Sequence, residues 1–272
     1  MHRHLPNLGR RWKTPVPGRQ VMALELHQFA YGQDNYGVLL HDSDTGETAM
    51  VDAGDAAAAR AALAEAGWSL TQIWITHHHG DHTAGLADIA AETGAATYGP
   101  GGVLGVTNIL AEGDNFTFAG RKADVLATPG HTLDMLNFHL ASERLAFTGD
   151  TLFAMGCGRL FEGDAEMMWA SLNKLMALDD DTIIYCSHEY TAANAAFALS
   201  VDPDNQALQR RAGAVAELRA AGQPTVPTMI GLEKETNPFL RAGDAAIRAR
   251  LGMDTAPDAA VFAEIRRRKD SF

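Results

Sequence analysis

The stretch "THHHGDHTAG", Thr76 to Gly85, places four histidines and one aspartate in six consecutive positions. Imidazoles beside a carboxylate at this density suit a borderline divalent cation such as zinc, which takes nitrogen and oxygen donors together. The preceding "IWIT" (73 to 76) reads as an apolar strand, so His77 falls where strand gives way to loop and side chains from separate segments can converge. Alternate residues of an extended stretch share a side, so His77 and His79 point together while His78 faces away. Asp81 and His82 follow past the flexible Gly80. A lone histidine would read as a surface or core residue; H-x-H-x-D-H after a buried strand reads as a metal site.

Such a site needs a rigid scaffold, and the surrounding pattern supplies one. "MALELHQF" (22 to 29) and "YGVLLHD" (36 to 42) read as strands joined through a "GQDN" turn, and "TAMVDAG" (48 to 54) reads as a third. "DAAAARAALAEAG" predicts a helix starting at Asp55 and stopping at Gly67. Strands are expected again at 73 to 76, 96 to 98, 123 to 128, 135 to 140, 144 to 148 and 182 to 187, with helices near 86 to 92 and 164 to 178. Strands interleaved with helices make a layered α/β domain extending over residues 22 to 190. From "HEYTAANAAFALSV" onward the period is helical with Gly and Pro breaks, so residues 191 to 272 form a C-terminal helical domain.

Composition narrows the function classes. The 272 residues are 46% hydrophobic and 21% charged, enough for a large core. No run of about 18 apolar residues occurs, so no membrane span is expected. Lys and Arg number 22 against 34 Asp and Glu, a net charge of −12 that works against binding nucleic acid or anionic lipid. Residues 1 to 21 differ: they hold five of the basic residues (Arg3, Arg10, Arg11, Lys13, Arg19), three prolines and no acid. They lack the apolar core of a secretory signal and read as a basic extension, expected to be disordered: an Arg-rich transit sequence, a disordered arm or, most simply, upstream residues from an early start codon, with Met22 opening the first strand. Two cysteines, Cys157 and Cys186, are too few for a disulfide scaffold, so a reducing cytoplasm is expected.

"THHHGDH" resembles the T-H-x-H-x-D-H signature of the metallo-β-lactamase superfamily, whose fold is an αββα sandwich with metals at one edge. That resemblance implies further ligands at later strand ends, and "TPGHT", "FTGDT" and "YCSHEY" offer His131, Asp150 and His188, each just after an apolar strand. Carried over residue by residue, the pattern implies one ion on His77, His79 and His131, a second on Asp81, His82 and His188, and Asp150 shared between them. Zinc is the expected metal, with iron or manganese also suited to the donors. His2, His4, His27, His41, His78 and His139 are left out of the ligand set, and both cysteines read as packed thiols.

The segments "GDTLFAMGCGRLFEG" (149 to 163), "YCSHEYTAAN" (185 to 194), "PTVPT" (224 to 228), "NPFLR" (237 to 241) and "RRRKD" (266 to 270) are similar to the hydroxyacylglutathione hydrolase (glyoxalase II) family. The likeness runs from about Met22 to the C-terminus. It implies hydrolysis of a glutathione thioester, typically S-D-lactoylglutathione, to a 2-hydroxy acid and free glutathione, by a hydroxide bridging two metals, as a step in methylglyoxal detoxification. Asp81 and Asp150 then carry catalytic roles, and Arg159, Tyr190, Arg266 and Lys269 are implied substrate contacts. Arg266 and Lys269 share a face of the last helix at i, i+3, as binding a carboxylate requires, although a basic helix C-terminus is also favoured by the helix dipole alone. Two departures stand out: Arg159 replaces the family's usual lysine and Phe161 a frequent tyrosine, so one hydrogen bond to glutathione is missing. The partner is therefore a small molecule, with the chain expected to act as a monomer. The alternatives are a mononuclear-iron persulfide dioxygenase or another hydrolase of the same fold.

Overall fold

Residues 24–42 form a long hairpin because two eight-residue runs rich in apolar side chains flank a turn in which Gly32 takes φ +61°, a conformation that costs little without a Cβ. The computed structural model describes residues 11–13 and 24–272, which divide into two compact units, 1–125 and 126–272.

In the first unit, strands β1 (Arg11–Lys13), β2 (Leu24–Tyr31), β3 (Asn35–Asp42), β4 (Thr48–Val51), β5 (Gln72–Trp74), β6 (Ala96–Gly99) and β7 (Asn108–Ile109) lie side by side in that order. Neighbours up to β4 are antiparallel, and those from β4 to β7 parallel. Parallel neighbours need crossovers. Helix α1 (Ala56–Ala66) supplies the one from β4 to β5; the single turn α2 (Gly80–Thr83) and α3 (Leu86–Thr93) supply the one from β5 to β6. As the sequence predicts, Asp55 caps α1 by accepting from the N–H groups of Ala57 and Ala58, and Gly67 ends it at φ 73°. Ala59, Ala62 and Leu63 of α1 bury against Leu39, Met50 and Ile73 of the sheet. A further hairpin, β8 (Asn115–Phe118) with β9 (Arg121–Ala127), meets Trp74, whose ring packs edge-on to Phe116 and Phe118 at 5.1 and 5.5 Å.

In the second unit, β10 (Leu136–Leu140) and β11 (Leu145–Gly149) pair antiparallel, and a short hairpin, β12 (Leu152–Phe153) with β13 (Gly156–Cys157), follows. Helix α4 (Ala165–Met176) crosses over to β14 (Ile183–Cys186), parallel to β11. Then come α5 (Thr191–Val201), α6 (Gln206–Ala220), β15 (Thr228–Met229) antiparallel to β14, α7 (Ile230–Thr236), α8 (Ala245–Leu251) and α9 (Asp258–Asp270). Leu172, Phe197, Phe239, Phe262 and Ile265 join these helices in one core.

The predicted order of α/β layers followed by helices is what the chain adopts. Two details differ from the sequence expectation. The strand expected to reach Thr76 stops at Trp74, because Thr76 gives its N–H to the Asp52 carboxylate instead of a neighbouring strand. The segment after Gly80 winds into a helical turn, so Asp81 and His82 project from α2. Of the N-terminal extension expected over 1 to 21, Arg11–Lys13 pairs with β2, and the rest lies outside the described residues. Among the described residues, no helix is long and apolar enough to cross a membrane.

Trp74 is fully buried at the end of the strand leading to the histidine cluster. Trp74→Ala is expected to lower stability by about 3–5 kcal/mol, read as a shifted urea midpoint; a change below about 1 kcal/mol would show that the aromatic cluster does not anchor β5.

Candidate metal centre

In the first unit, His77, His79, Asp81 and His82 lie close together. His77 and His82 are fully buried, while His78 is exposed, so the alternation read from the sequence holds for these side chains. The ring of His77 lies 4.6 Å from that of His79 and 4.1 Å from that of His82, centre to centre. Asp81 is held from two sides: Asn35 Nδ2 donates to its Oδ2 at 3.0 Å and the Tyr31 hydroxyl to its carbonyl at 2.8 Å. A Cβ on Gly54 would stand 1.8 Å from that same carbonyl, so the α2 turn can approach β4 only because residue 54 has no side chain.

Asp52 organises this group, and the sequence reading did not single it out. Its Oδ1 accepts from the Thr76 N–H at 2.9 Å and the Thr76 hydroxyl at 3.0 Å, and its Oδ2 faces His82 Nδ1 at 2.8 Å. The hydroxyl has one proton and spends it on Asp52, so its contact with His77 Nδ1 at 3.0 Å is one in which the ring donates. One carboxylate thus sets both tautomers: Nδ1 of His77 and His82 carries the proton, and Nε2 is the nitrogen with the lone pair. Asp52 takes φ 57°, rare for a residue with a side chain, and these bonds hold it there. The signal in the sequence was its place at the end of an apolar strand in "MVDAG", the same setting as the candidate ligands.

In the second unit, His131, Asp150 and His188 are all buried. His131 Nδ1 lies 2.8 Å from the Arg159 carbonyl, an acceptor only, so this ring too donates from Nδ1 and turns Nε2 outward as a lone pair. Asp150 Oδ2 stands 3.4 Å from His131 Nε2 and 3.3 Å from His188 Nε2. In the first unit, Asp81 Oδ2 stands 3.5 Å from His82 Nε2. A lone pair facing a carboxylate oxygen is repulsive by itself. Two ligands on one tetrahedral ion at about 2.0–2.2 Å are separated by about 3.3–3.6 Å, and this is the spacing found. The donor chemistry within each unit therefore fits a divalent cation.

The remaining predicted residues lie in the second unit. Tyr190 stacks on His188 at 4.7 Å with an interplanar angle of 3° and is partly exposed. Arg159 is exposed. Lys269 Nζ donates to the Ala193 carbonyl at 3.1 Å; burial first, then the positive charges of Arg266 and Arg159, lower its pKa, with Asp270 opposing. Arg159 and Arg266 are thus near enough to Lys269 for their charges to act on it. Arg266 is buried, its guanidinium over the Phe239 ring at 5.0 Å and bonded to the Cys157 carbonyl at 3.0 Å and to Asp270 at 2.8 Å, so it ties α9 to β13. Burial pushes the Cys157 and Cys186 thiols up to about 11 and about 12, keeping both as uncharged packed groups.

Asp52→Asn preserves shape but cannot accept at both carboxylate oxygens. It is expected to weaken metal affinity by about 10–100-fold in chelator competition. Unchanged affinity would remove Asp52 from the support of the site.

Residues 32–188 match the metallo-beta-lactamase superfamily, and residues 189–272 match the family described as hydroxyacylglutathione hydrolase C-terminus. Hydroxyacylglutathione hydrolase of Rhizobium meliloti (strain 1021) is 55% identical over 256 residues, covering 93% of this chain and 100% of that protein. The enzyme of the same name from Maricaulis maris (strain MCS10) is 54% identical, covering 92% and 99%. Among solved structures, ETHE1 from Myxococcus xanthus (TM-score 0.62, 24% identity, covering 90% of this chain and 98% of that one) shares the fold. So does the BLEG-1 B3 metallo-beta-lactamase (TM-score 0.61, 22% identity, covering 79% and 99%). The fold is accordingly the αββα sandwich followed by a helical domain of α5 to α9. By sequence over nearly its whole length, and by both of its domains, the chain belongs to the hydroxyacylglutathione hydrolase family of the metallo-β-lactamase superfamily.

Proposed function

We propose that the protein hydrolyses S-(2-hydroxyacyl)glutathione, with S-D-lactoylglutathione as the type substrate, to a 2-hydroxy acid and glutathione, in the detoxification of methylglyoxal. The observation that carries this reading is the reach of the family match. Ligand sets of this kind serve many reactions on this fold, whereas similarity above half identity extends through the helical domain to the C-terminus.

In this reading His77, His79 and His131 hold one ion, Asp81, His82 and His188 the other, and Asp150 serves both. Zinc suits imidazole and carboxylate donors of this number, and iron or manganese can replace it. Two divalent ions bound there lower the pKa of water toward about 7 and take up negative charge developing on a carbonyl oxygen. The side chains do the rest. Asp81, fixed by Asn35 and by the α2 turn, accepts a hydrogen bond from the attacking water and orients it. The leaving group is a thiol with pKa about 8.5, which departs as thiolate without a strong general acid. Glutathione carries two carboxylates, and the Arg159, Arg266 and Lys269 cluster supplies the matching charge. Arg266 acts at this site from a buried position, fixing α9 so that Lys269, one turn on, meets the peptide. Tyr190, stacked on His188, presents a hydroxyl from a rigid ring. Two free, buried thiols fit a reducing cytoplasm, and the chemistry requires only a single copy of the chain.

Metal-loaded protein mixed with S-D-lactoylglutathione is expected to release thiol far faster than buffer, with two metal ions per chain. Thiol release at the buffer rate with metal bound would overturn the reading. One iron per chain with oxygen uptake on a persulfide would move the protein to the dioxygenase class. Lys269→Met is expected to raise KM by about tenfold and leave kcat within about twofold, since it removes binding and no chemistry. A loss in kcat with KM unchanged would take Lys269 out of the binding site.

A further inference from the structure

The β12–β13 hairpin joins two parts of the proposed metal centre. It begins two residues after Asp150, and the chain leaving it returns through Gly158, whose N–H donates to the Thr151 carbonyl at 3.2 Å. A Cβ on Gly158 would lie 2.0 Å from the Asp150 carbonyl and 3.1 Å from His131 Nδ1. The next residue, Arg159, offers the carbonyl that fixes the His131 tautomer. Any displacement of this hairpin therefore shifts the backbone of Asp150 and the acceptor of His131 together.

Residues far along the chain hold the hairpin tip. Met155, fully buried at φ 58°, donates its N–H to Glu233 Oε2 at 2.8 Å. Asn237 Nδ2 donates to the Gly156 carbonyl at 2.9 Å, the Phe153 carbonyl at 3.3 Å and Glu233 Oε2 at 3.0 Å. Asn194 Nδ2 donates to the Ala154 carbonyl at 3.0 Å. Glu233 is fully buried, and its other oxygen receives the Arg211 guanidinium and the Thr228 hydroxyl. A buried carboxylate paired with a largely covered guanidinium is a costly way to gain stability, since apolar residues of similar volume commonly do as well. What it gives here is direction: a tip of irregular backbone, with a non-glycine residue at positive φ, is held in one conformation by acceptors and donors on α7 and the turn after it.

We propose that Glu233, with Asn237, is a positioning residue for the reaction: it locks the hairpin that sets Asp150 and His131, and so gives the helical domain a part in metal retention as well as in substrate binding. This rests on the metal roles proposed above for Asp150 and His131.

The test compares Glu233→Gln and Asn237→Ser with Leu251→Ala, a core truncation in α8 that removes none of the hydrogen bonds holding the hairpin tip. Metal dissociation is measured by chelator competition without substrate, and kcat and KM at saturating metal well below the unfolding temperature. Positioning predicts metal affinity and kcat both lower by about tenfold in Glu233→Gln, with KM within about twofold, and a smaller loss of the same kind in Asn237→Ser. Leu251→Ala should lose stability alone. Both hairpin variants losing stability with unchanged metal affinity and kcat would overturn the proposal. Should Glu233→Gln fail to fold, Asn237→Ser reads the same hold through the uncharged partner, and wild-type metal affinity and kcat there overturn it. Asp150→Asn run in parallel separates the premises: full metal retention in that variant refutes the role of Asp150 itself, whatever Glu233 does.

Discussion

A carboxylate oxygen and an imidazole lone pair repel each other, and this protein aims them together at His82 and His131, with a carboxylate oxygen equally close to Nε2 of His188. A proton or a metal ion between them removes the repulsion, and the groups around these side chains stop them turning away. The simplest escape for a histidine is to change tautomer or rotate. Asp52, through Thr76, closes both routes for His77 and His82, and the Arg159 carbonyl closes them for His131. The cation site is thus prepared by groups that never touch the cation.

The same logic explains where the fold accepts local cost. Asp52 and Met155 adopt positive φ without being glycine, and Glu233 is buried as a charged-type side chain. Each lies beside a segment bearing a candidate ligand, and each is over-determined by hydrogen bonds. Gly54 and Gly158 make the complementary contribution, since a methyl group at either would collide with the backbone of Asp81 or Asp150. Strain and missing side chains are both ways of bringing main chain closer to the site than regular structure permits.

Electrostatics separates the two tasks of the protein. Its overall charge of −12 repels nucleic acid and anionic surfaces, while Arg159, Arg266 and Lys269 concentrate positive charge in one place. Burial first, and then the positive charges of Arg266 and Arg159, lower the pKa of Lys269. Arg266 serves mainly by anchoring α9 to β13, so its charge is spent largely within the protein and Lys269 is the one on the more accessible side.

The four candidate ligands at 77, 79, 81 and 82, the helix between Asp55 and Gly67, and the change from α/β layers to helices were legible in the sequence, because residue type, spacing and turn chemistry act locally and leave a local record, whereas His131, Asp150 and His188 were implied by the family likeness. The family likeness added the order in which distant ligands must appear. Short strands such as β12, β13 and β15 left no such record, since two residues carry no period. Asp52, Asn35 and Glu233 stayed hidden for a different reason. Each looks like an ordinary polar residue until folding brings a partner 24 to 78 positions away within hydrogen-bonding distance. Sequence determined which side chains are candidates to bind metal. Tertiary structure decided which nitrogen each ring presents and how firmly it is held, because a tautomer is fixed by the neighbour of the other nitrogen, and that neighbour is chosen by the fold.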